Sequence, residues 1–345
     1  MYYNRMFGLS PKTKLIIMGL FILLFIITLL YLNPTDISFK PRPNEHFVNG
    51  TKLNFLTKKE SSDVFNNPKK FPIINRFKAR EIIVRTNTQQ SQSNLKHLQN
   101  KALNIYKNRT KDFTDEETQF LTKQIIKLQE SVAKFNQENN FRFPVMKEWN
   151  FIKLCSSIDW GFPYTIDKYI VLPSNFLEWE NKNVSSTLFH EQFHIYQRSF
   201  HKQFTQLYKS WGFHKIQEPI IPKDIQNRLI TNPDAPYIDY AFKIKENKYL
   251  VPFLMLNSLN SHTSRGLIYN KINGKLKLES SNMIDLKKYN HYYTKFYKSK
   301  QPYHPHEIFA TITSKLVFNH LLFTKEDTEL MRNFFFTNLT LFKKL

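Results

Sequence analysis

The segment Thr187-Leu188-Phe189-His190-Glu191-Gln192-Phe193-His194 contains His-Glu-x-x-His. Residues four apart on a helix lie one above the other, so His190 and His194 can turn their imidazoles to one metal ion. Zn2+ suits such a site, because it takes imidazole and carboxylate ligands and lowers the pKa of a bound water toward neutrality. Glu191 stands one step round the helix, close to that water without being a ligand, where a carboxylate can act as general base. A lone histidine on such a helix is more often a satisfied core residue; the pair with an acid between points to a metal.

The spacing around the motif predicts a helix. Phe189, Phe193, Tyr196 and Phe200 fall at i, i+4, i+7 and i+11, an aromatic stripe that calls for burial. His190, His194, Gln197 and His201 run beside it, so burying the aromatics turns the histidines toward a neighbouring wall or cleft. Neither Gly nor Pro interrupts the run.

A catalytic zinc site needs a third protein ligand and an open position. Cys155 is the only cysteine, so the third ligand is a His, Asp or Glu, and an intramolecular disulfide is excluded. His201 lies about 10 Å from His194 by helical rise, too far to share the ion. His214 and Glu218 could return from a following element. Glu307 has the better context in Tyr303-His304-Pro305-His306-Glu307-Ile308-Phe309-Ala310: Pro305 is well placed to open a helix, and Glu307 falls in its first turn. His304 and His306 compete with it. In the tyrosine-dense stretch 289–297, Tyr292, Tyr293 and His291 are candidate donors to a substrate oxyanion.

The His190–His194 segment, together with the segment around Glu307, resembles a gluzincin-type zincin metallopeptidase. The resemblance implies Zn2+ held by His190, His194 and Glu307, Glu191 as base, and a peptide or protein substrate. The metzincin pattern is not followed, since Gln197 and Phe200 stand where its Gly and third His would be. The chain departs from thermolysin-like enzymes in two ways. The gap from His194 to Glu307 is long, and Thr311 stands where an acid would orient a zinc-bound His.

The positioning elements are read from pattern. Residues 15–32 are apolar or neutral, which predicts a transmembrane helix acting as an uncleaved anchor. Arg5, Lys12 and Lys14 precede it, favouring a cytoplasmic N-terminus with the body on the opposite side, a single-pass membrane protein. The expected order is a tail at 1–14, the span at 15–32, a Pro-interrupted stalk at 33–74 and a catalytic domain at 75–345. Phe77–Val84 has strand character, Leu95–Tyr106 that of a helix. Thr114 and Glu117 form a capping box that opens an amphipathic helix to about Asn136. Lys168–Pro173 reads as a strand, either in the core or at an edge open to an added peptide. Asn273-Gly274 predicts a hairpin.

The expected fold is α+β: a zincin-like body with a mainly helical core and a small sheet beside the metal-binding helix, preceded by the transmembrane helix. With 7 glycines the chain carries neither a phosphate loop nor a dinucleotide fingerprint. Its +22 charge comes from lysines scattered along the whole length, a solvated basic surface, so specific nucleic-acid binding is not expected. The functional expectation is a membrane-anchored zinc peptidase. The alternative is a catalytically silent zincin-like protein with a binding or structural role.

Overall fold

The computed structural model describes residues 44–88, 94–179, 184–258, 261–296, 302–318 and 324–345, the side chains of Ser258, His291, Tyr293 and Thr294 excepted. Asn44–Leu345 form one compact unit. It is α+β and is built on two six-stranded sheets, not on a helical core with one small sheet.

The first sheet starts within the expected stalk. Strands β1 (Glu45–Val48) and β2 (Thr51–Phe55) form a hairpin whose turn residues Asn49 and Gly50 take positive φ, as an Asn-Gly turn allows. Helix α1 (Lys58–Asn66), α2 (Ala79–Thr86) and α3 (Leu95–Asn108) follow, then the short β3 (Thr110–Lys111) and the long α4 (Asp115–Asn139). Strands β4 (Glu148–Leu154), β5 (Tyr164–Ile166) and β6 (Tyr169–Pro173) complete the sheet. Its order is β1-β2-β4-β6-β5, with β3 added to β4; β2, β4 and β6 run parallel, and β5 is antiparallel at the edge.

Period-2 alternation sends the two faces of this sheet into different cores. Trp149, Phe151, Ile170 and Leu172 join Leu121, Ile125 and Leu128 of α4. Ile152, Leu154 and Val171 join Phe65, Leu98 and Tyr106 under α1–α3. A parallel sheet covered on both faces needs such doubly apolar strands.

The second half carries helices α5 (Val184–Ser199), α6 (His201–Ser210) and the single turn α7 (Lys223–Gln226). It also carries an antiparallel sheet ordered β11-β10-β9-β8-β7. Its strands are β7 (Phe213–Lys215), β8 (Tyr240–Lys245), β9 (Lys248–Ser258), β10 (Ser261–Ile272) and β11 (Lys275–Leu278), with β12 (Ile284–Asp285) added to β10. The β10–β11 turn is Asn273-Gly274, again with positive φ at both residues. Helices α8 (Asn290–Phe296), α9 (Pro305–Phe318) and α10 (Lys325–Phe342) close the chain.

Three expectations are corrected. Residues 79–86 are helical, not extended: Glu81 caps the start by accepting from Lys78 N at 3.4 Å, and the i,i+4 pair Glu81–Arg85 is buried on one face. Residues 44–74, expected in a stalk, belong to the compact unit. The expected transmembrane helix 15–32 lies outside the described residues. Among the described residues no helix is long and apolar enough to cross a membrane. The longest of them, α4, spans 25 residues and keeps an exposed charged face. The transmembrane element of the expected fold class and the single-pass membrane localisation are therefore withdrawn.

Candidate metal centre

Helix α5 presents the motif as the spacing requires. Leu188, Phe189, Phe193 and Tyr196 are buried in the main core, where Phe193 meets Phe309 of α9 edge to face at 5.3 Å. This packing sets α5 against α9 and leaves His190 and His194 facing the first turn of α9. Their Nε2 atoms stand 3.0 Å apart. Glu307 reaches them from α9, with Oε2 at 3.4 Å from His190 Nε2 and Oε1 at 3.7 Å from His194 Nε2. Donor atoms of all three lie within 4.8 Å of one another.

The surroundings fix the state of these donors. Gln197, one turn beyond His194, donates from Nε2 to the His306 carbonyl at 3.0 Å. Its Oε1 therefore faces His194 Nδ1, at 2.8 Å, and accepts that proton. His194 is left with a lone pair on Nε2, aimed at the cluster. Burial pushes its pKa down to about 3, so the ring is neutral, as a ligand must be. Asn232 Nδ2 donates to Glu307 Oε1 at 2.6 Å and also to the Tyr303 hydroxyl. These are the acceptor and donor that orient the donor set, and neither is the acid of the thermolysin-like pattern.

Glu191 is 3% exposed, and its Oε2 is buried without a hydrogen-bond partner. Burial, with the Asp234 and Glu307 carboxylates beside it, pushes its carboxyl well above the ordinary range. Asp234 arrives on the loop Thr231-Asn232-Pro233-Asp234-Ala235-Pro236, which ties the site together. Asp234 accepts from Thr165 N at 3.0 Å and lies 3.6 Å from Arg198 Nη1, and its backbone N–H donates to Asn232 Oδ1. Glu191, His194 and Asp234 make a second group of donors within reach of one ion.

The donor set fits a divalent ion of the zinc class. It offers neutral imidazoles and a carboxylate, no thiolate, and a surplus of buried negative charge with one carboxylate oxygen still unpartnered.

The other sequence candidates lie elsewhere. His304 Nε2 pairs with Asp239 Oδ1 at 3.3 Å, and His306 Nδ1 donates to the Asp234 carbonyl at 3.1 Å, so neither ring is turned to the cluster. His214, on β7, packs edge-on against Tyr249 of β9, and Glu218 pairs with Arg76. His201 starts a separate helix and is exposed. Tyr292 is fully buried among Phe213, Phe242 and Phe296 and donates to the Pro302 carbonyl, which makes it a core residue and not an oxyanion donor. The side chains of His291 and Tyr293 are outside the described residues. Strand β6 is interior, with β4 on one side and β5 on the other, so it cannot receive an added peptide.

A cavity of about 470 Å³ opens on His190, Glu191, Asp234 and Glu307. Trp160, Phe162 and Pro163 form an aromatic and apolar wall. Asp159, Trp160 and Gly161 all take left-handed φ (52°, 57° and 66°), a run that L side chains rarely adopt and that costs free energy. Asp159 is held there by Arg85 Nη1 at 2.6 Å and by the Tyr106 hydroxyl at 2.7 Å. The sequence reading missed Gln197, Asn232, Asp234 and Asp159. Its one available signal for the loop was Asn-Pro-Asp-Ala-Pro, a turn-forming run of the kind that often carries functional groups. No family model, curated protein or solved structure matches this chain.

Proposed function

We propose that the chain is a metal-dependent peptidase, with a divalent ion of the zinc class held by His190, His194 and Glu307. The observation that carries this reading is the convergence of those three donors beside Glu191, whose buried Oε2 has no partner. Such an ion, when bound, polarises a carbonyl and makes a water acidic enough to ionise near neutrality.

The residues of the chain do the rest. Gln197 keeps the proton of His194 on Nδ1, and Asn232 fixes Glu307. Glu191 takes the proton of the attacking water and returns it to the leaving amine. The surrounding burial keeps bulk water away from that transfer. A peptide substrate fits a cavity with a carboxylate-lined floor and an aromatic wall.

A second reading is favoured by the alternative donor group Glu191, His194 and Asp234. If that group holds the ion, Glu191 is a ligand, no base remains, and the protein binds without cleaving. Glu191→Gln separates the two. The peptidase reading expects hydrolysis of a broad peptide library to fall about 10²- to 10⁴-fold while metal content is kept. Undiminished hydrolysis would overturn it.

A further inference from the structure

The loop 231–236 lies between two cavities. Asn232, Pro233 and Asp234 line the one that opens on the metal centre. Thr231, Ala235 and Pro236 line a second, of about 480 Å³, and Ile230 and Leu254 border both. A segment with open space on either side gets little of its position from packing, because voids supply no contacts. Its polar anchors have to supply the rest. Asp234 is tied to Thr165 and Arg198, and the Pro236 carbonyl accepts from Arg76 Nε at 2.9 Å. The anchor at Thr231 is of a different kind.

All three polar groups of Thr231 are taken by one buried ion pair on α2. Its N–H donates to Glu81 Oε1 at 2.7 Å, its hydroxyl to Glu81 Oε2 at 3.1 Å, and its carbonyl accepts from Arg85 Nη2. Glu81 and Arg85 are 0% and 3% exposed, and their i,i+4 spacing puts them on one face of the helix. The planar guanidinium points its donors three ways: Nε to Glu81 at 2.9 Å, Nη1 to Asp159 at 2.6 Å, and Nη2 to the loop. It also lies over the Trp160 ring, 5.2 Å from the centroid. One side chain thus holds both the loop and the turn of the cavity wall. Desolvation offsets most of the attraction in such a pair, so its net contribution to stability is small. What it supplies is a fixed direction for Thr231.

Asn232 follows at once in the chain. Its Nδ2 donates to Glu307 Oε1 at 2.6 Å and to the Tyr303 hydroxyl, and its Oδ1 accepts from Asp234 N at 3.0 Å. A displaced Thr231 carries Asn232 with it, and Glu307 then loses the donor that aims its carboxylate at His190 and His194. A metal site tolerates such errors poorly, since its ligand distances hold within about 0.2 Å.

We propose that Glu81 and Arg85 are positioning residues of the metal centre. They fix Thr231 and, through Asn232, the direction in which Glu307 meets the ion. The inference rests on the reading of Glu307 as a ligand; it does not require that a peptide be cut.

The test is a double-substitution cycle on the full chain, read by zinc affinity in competition with a chelator and by the urea midpoint. Glu81→Gln, which is nearly isosteric, should weaken zinc about 2- to 30-fold. In an Asn232→Ala background it should weaken zinc no further, since the route is already cut. Phe55→Leu is a buried truncation on β2, on the far side of its sheet from β5. It should lower the urea midpoint and leave zinc affinity as in the wild type. Thr231→Val removes only the hydroxyl bond and repeats the cycle if Glu81→Gln does not fold, with about a twofold loss expected.

Wild-type affinity in Glu81→Gln, or in Thr231→Val where Glu81→Gln does not fold, overturns the proposal. An equal loss with and without Asn232 does the same, and so does a loss in Phe55→Leu as large as in Glu81→Gln. Asn232→Ala at wild-type affinity rejects Glu307 as the oriented ligand, and the site reading with it. A weakened Asn232→Ala beside an unchanged Glu81→Gln rejects only the part given to the ion pair.

Discussion

Glu191 sits between two other carboxylates with one oxygen that nothing on the protein satisfies, whereas the atoms around it are held one by one. Gln197 spends one end of its amide on a helix carbonyl and the other on His194, which fixes both the tautomer and the ring plane. Gln197→Leu keeps the side chain near in size but makes it apolar, which removes both bonds. It should weaken metal affinity about 10- to 100-fold, as loss of an orienting partner does, measured by competition with a chelator. Unchanged affinity would show that the His194 orientation is set by packing alone. Asn232 does the same for Glu307, from a loop some 75 positions earlier. Such partners were illegible in the sequence because their spacing is tertiary. His190, Glu191 and His194 were legible because helical periodicity alone places them.

At the scale of elements, the site depends on α5 and α9 being pressed together, and their aromatic contacts follow from a stripe that the sequence displays openly. The helix opened by Pro305 was equally visible, and it carries Glu307 where the first turn puts it. Residues 79–86 misled because Ile82-Ile83-Val84 is β-branched, a local preference that the buried Glu81–Arg85–Asp159 network overrides. The extent of the two sheets was also hidden, since β2, β4 and β6 come from separate parts of the chain. The second sheet has one tight point at Gly266 of β10. A Cβ there would meet Leu250 Cδ1 at 2.6 Å and Leu286 Cδ2 at 3.1 Å. Gly266→Ala should cost about 1–3 kcal/mol by overpacking, read as a lower urea midpoint with an unchanged slope. A midpoint equal to wild type would mean that β9 and β10 separate more easily than their pairing suggests.

At the scale of the whole molecule, a basic exterior surrounds an acidic cavity. The +22 charge is spread along the chain, so any association with polyanions should be non-specific. Fluorescence anisotropy with short duplexes should find affinity falling steeply between about 50 and about 200 mM salt, with no preference for sequence. Tight, selective binding at the higher salt would reveal a nucleic-acid site that the scattered lysines do not predict. The cavity is the feature that the rest of the fold supports, through α5, α9, the loop 231–236 and the Asp159–Gly161 turn. Its metal content is the most direct test. Purified full-length protein loaded with zinc and dialysed should hold one equivalent, as should Glu191→Gln, while His194→Ala and Glu307→Gln should hold almost none. Loss of zinc from Glu191→Gln, with retention in Glu307→Gln, would contradict the account and move the ion to Glu191, His194 and Asp234.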